Sequence, residues 1–266
     1  MAMKRENAGV FPSRKKDGTV YYRASVTFKR KHISLGSFGD ASSAHRAYIE
    51  AGLLLRDHEK AILDYSETSS LSFEKWVCLI NFRDNGLYIS HPIYIYKKMF
   101  NYYLSPTEIL KFDAEELFYY SSHKIMVRGG HYFVADYGSQ VNILNRYGIK
   151  NHAVEGRDYL FKNGDPLDFR LANLEIINRY TGVIKKVKKG RTLYRAVIHI
   201  NGNFIVGEYE SETEAAIAYN KAADILKTRG LSKNYQRNYI DNLSAEEYND
   251  IYRSLDISAK IRSYTL

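Results

Sequence analysis

The sequence predicts an α+β protein built as two small three-stranded antiparallel sheet-plus-helix domains flanking a central α+β domain. Three observations predict it. One pattern of residues occurs near both ends of the chain. Within each copy the hydrophobic period changes from that of a strand to that of a helix. The basic charge gathers on the strand half of both copies.

The first copy reads Gly9-Val10, a basic run, Tyr22-Arg23-Ala24, an alternating stretch, Gly36-Ser37-Phe38, then Ala44 and Ala47-Tyr48. The second reads Gly182-Val183, a basic run, Tyr194-Arg195-Ala196, an alternating stretch, Gly207-Glu208-Tyr209, then Ala215 and Ala218-Tyr219. Tyr22 and Tyr194 are 172 positions apart, while Gly36 and Gly207, like Tyr48 and Tyr219, are 171 apart. So wide a separation is not a solenoid period; one small domain is used twice, with other structure between.

Each element has its own signal. Tyr22, Ala24, Val26 and Phe28 alternate with Arg23, Ser25, Thr27 and Lys29, and Tyr194, Ala196, Ile198 and Ile200 alternate with Arg195, Val197, His199 and Asn201. Period-two alternation marks a half-buried strand. Lys29-Arg30-Lys31 and Asn201-Gly202 are the expected turns, and a third strand is expected to end at Leu35 or Val206, before a glycine. Ala41, Ala44, Ala47, Tyr48, Ala51 and Leu55 then recur at helical spacing, as do Ala215, Ala218, Tyr219, Ala222, Ala223 and Leu226. Small alanines let a helix lie close on one sheet face and leave the other face open.

Charge points to that open face. Residues 1–32 hold nine basic and two acidic residues, residues 180–206 hold six basic and none acidic, and the whole chain is +9, so the remainder is net −4. Clustered cations on two exposed faces are the electrostatic footprint of nucleic-acid binding. A solubilising role for Lys-rich hairpins is the blander reading.

Taken in order, these motifs resemble the APETALA2/ethylene-response-factor DNA-binding domain: Gly9-Val10, Tyr22-Arg23-Ala24, Leu35-Gly36-Ser37-Phe38 and Ala47-Tyr48, and again Gly182-Val183, Tyr194-Arg195-Ala196, Val206-Gly207-Glu208-Tyr209 and Ala218-Tyr219. The resemblance covers about 110 of 266 residues. It implies a sheet that enters the major groove, whose width admits a β-ribbon. Carried over by parity, the outward positions are Arg14, Lys16, Arg23, Ser25, Thr27, His32 and Ser34, and Lys186, Lys188, Arg195, Val197, His199, Asn203 and Ile205. Arg23 and Arg195 suit guanine, Asn203 suits adenine, and Val197 or Ile205 suits a thymine methyl. The copies share little outward except the arginine, so two different half-sites are expected. Plant members carry more Arg and Trp on this face, so the resemblance implies the mode of binding and not a particular target.

Bacterial and phage proteins often place such domains beside an HNH endonuclease domain, and the middle of this chain carries a matching segment. Asn163-Gly164-Asp165, Asp168-Phe169-Arg170 and Asn173-Leu174 resemble the ββα-metal core of that family. The family's chemistry needs a His that deprotonates water and polar ligands for one divalent metal. In register, Phe161 stands at the His position and Phe169 at an Asn position, and neither can take a proton or bind a metal. The expectation is a degenerate HNH-like centre with no catalytic residue, no metal and no cofactor. Asp165, Asp168, Arg170 and Asn173 remain to hold the turn and cap a helix. His131 and His152 are the alternative bases if cutting survives, and Lys150, Arg157, Lys162 and Arg170 are possible phosphate contacts or else a solvated surface. The segment 59–178 as a whole is near neutral, with 13 basic and 15 acidic residues.

Within residues 73–137, Ile93–Tyr96, Phe118–Tyr120 and Tyr132–Val134 read as strands and Ser105-Pro106-Thr107-Glu108 as a helix start. The many tyrosines suit a core, with self-association into a homo-oligomer as the alternative. Ser244-x-x-Glu247 is a capping box ahead of an amphipathic helix with Tyr248, Ile251, Tyr252 and Leu255 on one face, expected to pack on the second copy or on a partner chain. The expected domains are 1–65, 66–178, 179–236 and 237–266. The length suits two to three domains, and only four prolines argue against long disordered linkers. Cys78 is the single cysteine, which leaves no disulfide within the chain and no Cys-based zinc site. No signal peptide is expected, no apolar run comes near the ~18 residues a membrane span needs, and no P-loop, G-x-S-x-G or H-E-x-x-H occurs in the sequence. The expectation is a cytoplasmic, nucleoid-associated, sequence-specific double-stranded DNA-binding protein, a transcriptional regulator of a bacterium or phage. The alternatives are a nicking HNH endonuclease with a non-standard base and a non-specific architectural protein.

Overall fold

The computed structural model describes residues 8–265. Strands and helices are mixed, and the strands lie in small antiparallel sheets, so the fold is α+β. The chain divides into two compact units: residues up to Val141 with Asp165–Asn173, and Asn142–Gly164 with Leu174 onward. These units do not follow the boundaries expected from the sequence. Lys4 and Arg5, counted above in the first basic cluster, lie outside the described residues.

The first unit begins with β1 (Val10–Arg14), β2 (Val20–Phe28) and β3 (Lys31–Phe38), paired in that order, followed by α1 (Ala41–Leu54). Pro12 is tolerated because β1 is an edge strand. Asp40 caps α1 by accepting from the Ser43 N–H at 2.8 Å. Ala44, Ala47 and Ala51 are fully buried against the sheet, with Ala24, Val26, Ile33 and Leu35 facing them. The packing does not stop at residue 65. Helix α2 (Phe73–Asn85) adds Trp76, Val77, Leu79, Ile80 and Phe82 to the same core. The buried guanidinium of Arg83 ties the two helices by donating to the carbonyls of Leu54, Asp57 and Lys60.

The rest of this unit is two sheets. β4 (Ile93–Ile95), β5 (Met99–Tyr103) and β6 (Ile109–Asp113) form one; α3 (Leu117–Ser122) follows; β7 (Ile125–Arg128), β8 (His131–Asp136) and β9 (Ser139–Asn142) form the other. Phe100 and Phe112 stack at 5.3 Å and Tyr120 joins them, so the aromatic segment is largely core. Two sequence expectations fail here. Phe118–Tyr120 is helical, in α3, where it buries Tyr120 and leaves Phe118 exposed. Ser105–Glu108 starts no helix. The Ser105 hydroxyl accepts from the N–H groups of Thr107 and Glu108 in a turn that feeds β6, a local bond that competes with helix initiation.

The second unit holds the short hairpin β10 (Tyr159–Phe161) and β11 (Leu174–Ile176), then the sheet β12 (Val183–Lys188), β13 (Arg191–His199) and β14 (Asn203–Tyr209). Helix α4 (Glu212–Thr228) packs on one face of that sheet through Ala215, Ala218, Ala222 and Leu226. Its N-terminus is a capping box of Ser211 and Glu214. α5 (Ala245–Ser254) begins with the expected Ser244–Glu247 box and packs on α4, where the Tyr252 hydroxyl donates to Asp224. α6 (Ala259–Arg262) closes the unit, burying Ile261.

Candidate nucleic-acid interface

The repeated motifs are one contact made twice. Gly9 has φ +76° and Gly182 φ +72°, and a Cβ at either position would overlap the ring of Tyr48 or Tyr219. The Gly9 carbonyl accepts from the Ser25 N–H at 3.0 Å, and the Gly182 carbonyl accepts from the Val197 N–H at 2.7 Å. Ser25 and Val197 sit at the shift in register that follows Ala24 and Ala196. Each glycine thus lets the chain pass close over an aromatic ring and carries the ladder with the first strand one pair further, opposite the bulge on the third strand. The third strands do not end at Leu35 and Val206 as expected. They run through the bulge to Phe38 and Tyr209, with Gly36 and Gly207 inside them. The bulge exchanges the faces, so residues beyond it cannot be assigned by counting straight through.

In the second unit the face away from α4 carries the predicted set. Lys186 and Lys188 on β12 share it with Arg195, Val197 and His199 on β13 and with Asn203 and Ile205 on β14. Val197 lies opposite Ile205, which is 50% exposed. The His199 ring Nδ1 lies 3.1 Å from Asn203 Oδ1. Lys186 and Lys188 are exposed and belong to a two-residue hairpin through Lys189-Gly190. One member of this face was not foreseen. Glu208 lies opposite Arg195, and its Oε1 accepts from Arg195 Nε at 2.9 Å and Nη2 at 2.6 Å. The arginine's hydrogen bonds hold the Glu208 carboxyl below its ordinary value, with Lys188 and Lys186 adding to the effect. The signal was Gly207: a glycine inside a strand pattern suggests a bulge, and the bulge moves Glu208 onto this face.

In the first unit Arg23, Thr27, His32 and Ser34 are exposed on the face away from α1. Thr27 Oγ1 and His32 Nδ1 are 3.4 Å apart. Ser25 has the right parity but is only 9% exposed, so little of it is available to a ligand. Arg14 and Lys16 are corrections. Arg14 pairs with Val20 and has the parity of Pro12 and Tyr22, on the helix side, while Lys16 lies in the turn closed by Lys15 and Thr19. The first hairpin loop is longer than the two-residue loop of the second, so parity counted back across the loop from Arg23 does not hold. Phe11, Ser13 and Tyr21 take the outward positions instead. Arg23 stands between Phe11 and Ser37 across its two ladders, with no acidic residue at either.

A cleft of about 550 Å³ lies in the second unit beside Val197, His199 and Asn203. Lys150, His152, Arg157 and Lys233 line it. Lys150 is withdrawn from the surface. Its side chain is only 11% exposed, with Nζ 3.0 Å from Asp158 Oδ1 and 2.8 Å from the Tyr180 carbonyl. Burial by itself would raise the Asp158 carboxyl, but hydrogen bonds from Arg157, the Val154 N–H and Lys150 outweigh it and leave the value lowered. Arg157 reaches Asp158 with Nε and Nη2 and remains half exposed. Lys233 donates to the His199 carbonyl, a neutral partner.

The segment resembling an HNH core places its key positions in packed surroundings. Phe161 ends β10 opposite Leu174 and is buried against Tyr159. In the first unit, Phe169 is 2% exposed, stacked on Phe112 and edge-on to Tyr132. No helix follows β11, since residues 177–182 lead directly into β12, so Asp168 has no helix there to cap. Asp168 instead accepts from Nε and Nη2 of the Arg170 guanidinium, which stays partly exposed. Lys111 bonds Asp165 at 2.7 Å, and its backbone N–H and C=O pair with Leu167 and Phe169. Asn173 donates to the Asp168 carbonyl. Lys162 is exposed after β10, His131 is exposed in the β7–β8 hairpin opposite Arg128, and His152 is exposed on the cleft.

Comparison with protein-family models, curated proteins and solved structures returns no match. No helix among the described residues is long and apolar enough to cross a membrane.

Proposed function

We propose that this chain is a sequence-specific double-stranded DNA-binding protein that reads two different half-sites with the uncovered faces of its two helix-backed sheets, and that it regulates transcription in a bacterium or phage. The observation that carries the reading is the second sheet. Two lysines, an arginine, two apolar side chains and a His–Asn pair share one open face, while α4 covers the opposite one. Such a ribbon matches a major groove ~12 Å wide, and its side-chain types match the donors, acceptors and methyl groups presented there. Arg23, Thr27, His32 and Ser34 give the first sheet a smaller set of the same kind. Arg157 and Lys233, beside the second face, extend it as phosphate contacts. Two readers on one chain raise affinity through effective concentration wherever the half-site spacing suits both.

The reading includes no cutting step. Support comes from Phe161 and Phe169, which serve as core aromatics at the two positions where the resemblance calls for a base and a polar ligand. The experiment that tests the whole reading is titration of labelled duplexes, specific and scrambled, at several salt concentrations. Tight binding that discriminates between them, with intact strands in magnesium, supports it. Equal binding of all duplexes, or nicking, refutes it.

A further inference from the structure

On the strength of the DNA-binding reading, we propose that Glu208 makes the second sheet a reader of one G·C base pair, with Arg195 donating to guanine and Glu208 accepting from the amino group of its cytosine. The two side chains sit opposite each other on β13 and β14, on the face that α4 leaves open. Arg195 gives Nε and Nη2 to a single oxygen, Oε1 of Glu208, at 2.9 and 2.6 Å. Nη1 and Oε2 lie outside that pair. The major-groove edge of G·C offers guanine N7 and O6 as acceptors beside cytosine N4 as donor. A guanidinium edge next to a carboxylate oxygen is the complementary row.

A carboxylate on this face works against simple attraction to phosphates. Lys186 and Lys188 share the face, and Glu208 offsets one of these charges. Its presence weakens binding to every sequence alike unless it also recognises something. It further holds Arg195 in one orientation, so less freedom is lost on binding. The first sheet supplies the contrast. The residue opposite Arg23 is Ser37, which neither restrains a guanidinium by charge nor accepts strongly from cytosine. The two sheets therefore differ in how sharply they read their shared arginine. The first tolerates exchange at its guanine contact, and the second does not.

The test uses the full chain and its best duplex, selected from a random pool. Affinity is measured for every single base-pair substitution, for the wild type and for Glu208→Ser, which copies the first sheet. Melting temperature is followed alongside, and Glu208→Gln serves as a second variant that keeps the side-chain length and one acceptor oxygen. One G·C position in the second half-site should lose about tenfold or more on exchange in the wild type, about 1.4 kcal/mol. In Glu208→Ser that discrimination should collapse at this position alone, while binding to scrambled duplex tightens and its salt slope steepens. Glu208→Gln should keep part of the discrimination. A substitution pattern unchanged in Glu208→Ser, with affinity shifted equally on all duplexes, overturns the proposal and leaves Glu208 a charge neutraliser only. If the wild type prefers no duplex, the DNA-binding reading falls, and this proposal with it.

Discussion

Alanine at Gly182 probes why the same motif occurs twice. The substitution has two costs. The backbone is held at φ +72°, where a Cβ costs ~1–2 kcal/mol. The new atom also meets the Tyr219 ring and the Val197 carbonyl, which is backbone and cannot rotate away. Forcing one carbon into a packed site costs ~1–3 kcal/mol, so the total is ~2–5 kcal/mol. That is a large part of the ~5–15 kcal/mol that holds a typical domain folded. Gly190 separates the two costs, because it has φ +78° but nothing within 4 Å of an added Cβ. Gly190→Ala should cost only the backbone part, ~1–2 kcal/mol. Urea unfolding followed by far-UV circular dichroism reads both as shifts of midpoint. Gly182→Ala should lower the midpoint well beyond Gly190→Ala. Equal effects would refute the idea that the motif exists to pass the chain over an aromatic ring.

Further outcomes follow from the same geometry. Arg195→Ala should relax selectivity at one position of one half-site by ~1–3 kcal/mol, measured by competition among single-substituted duplexes; a uniform loss on all duplexes would make Arg195 a phosphate contact instead. Lys186→Ala and Lys188→Ala should each reduce the slope of log affinity against log salt by ~0.9 if each neutralises one phosphate. Asp158→Asn leaves the buried Lys150 without its charge partner and should cost ~3–5 kcal/mol at neutral pH, read by chemical denaturation. Because the folded Asp158 carboxyl lies below its ordinary 3.8, its contribution is present above that value and is lost as pH falls through the lowered one; thermal melts from pH 6 to pH 2 should show the wild-type advantage over Asp158→Asn shrinking at the acid end. The Asn238 side chain accepts from the Thr181 N–H and donates to the Thr181 and Ala216 carbonyls, and Asn238→Ala should cost ~1–3 kcal/mol for the buried groups it leaves unpaired, visible as a lower melting temperature.

The two helix-backed sheets were legible because each reports itself through period. Alternation along β2 and β13 and the alanine spacing of α1 and α4 are local signals that the packing does not override. Helix α2 was not legible for the opposite reason. Trp76 through Arg83 are all buried, so the helix has no polar face and no amphipathic period to read. Phe118–Tyr120 has strand-like composition, yet forms a helix because Tyr120 must reach the Phe100–Phe112 stack. Within the candidate interface, parity carried the second face correctly and misplaced Arg14 in the first, since loop length differs between the copies. Glu208 escaped because a bulge changes faces without changing composition. In the Asp158 cluster Arg157 is the adjacent residue, but Lys150 meets the same carboxylate because the chain folds back and buries it against the Tyr180 carbonyl, which no spacing announces.

Selection from a random-sequence duplex pool at near-physiological salt with magnesium tests the central claim most directly, with the bound molecules sequenced and their strands inspected. The account predicts intact duplexes that share a two-part motif, one part of which disappears when Arg195 is replaced by Ala. Bound duplexes with no common motif, or duplexes returned with nicks, would contradict it.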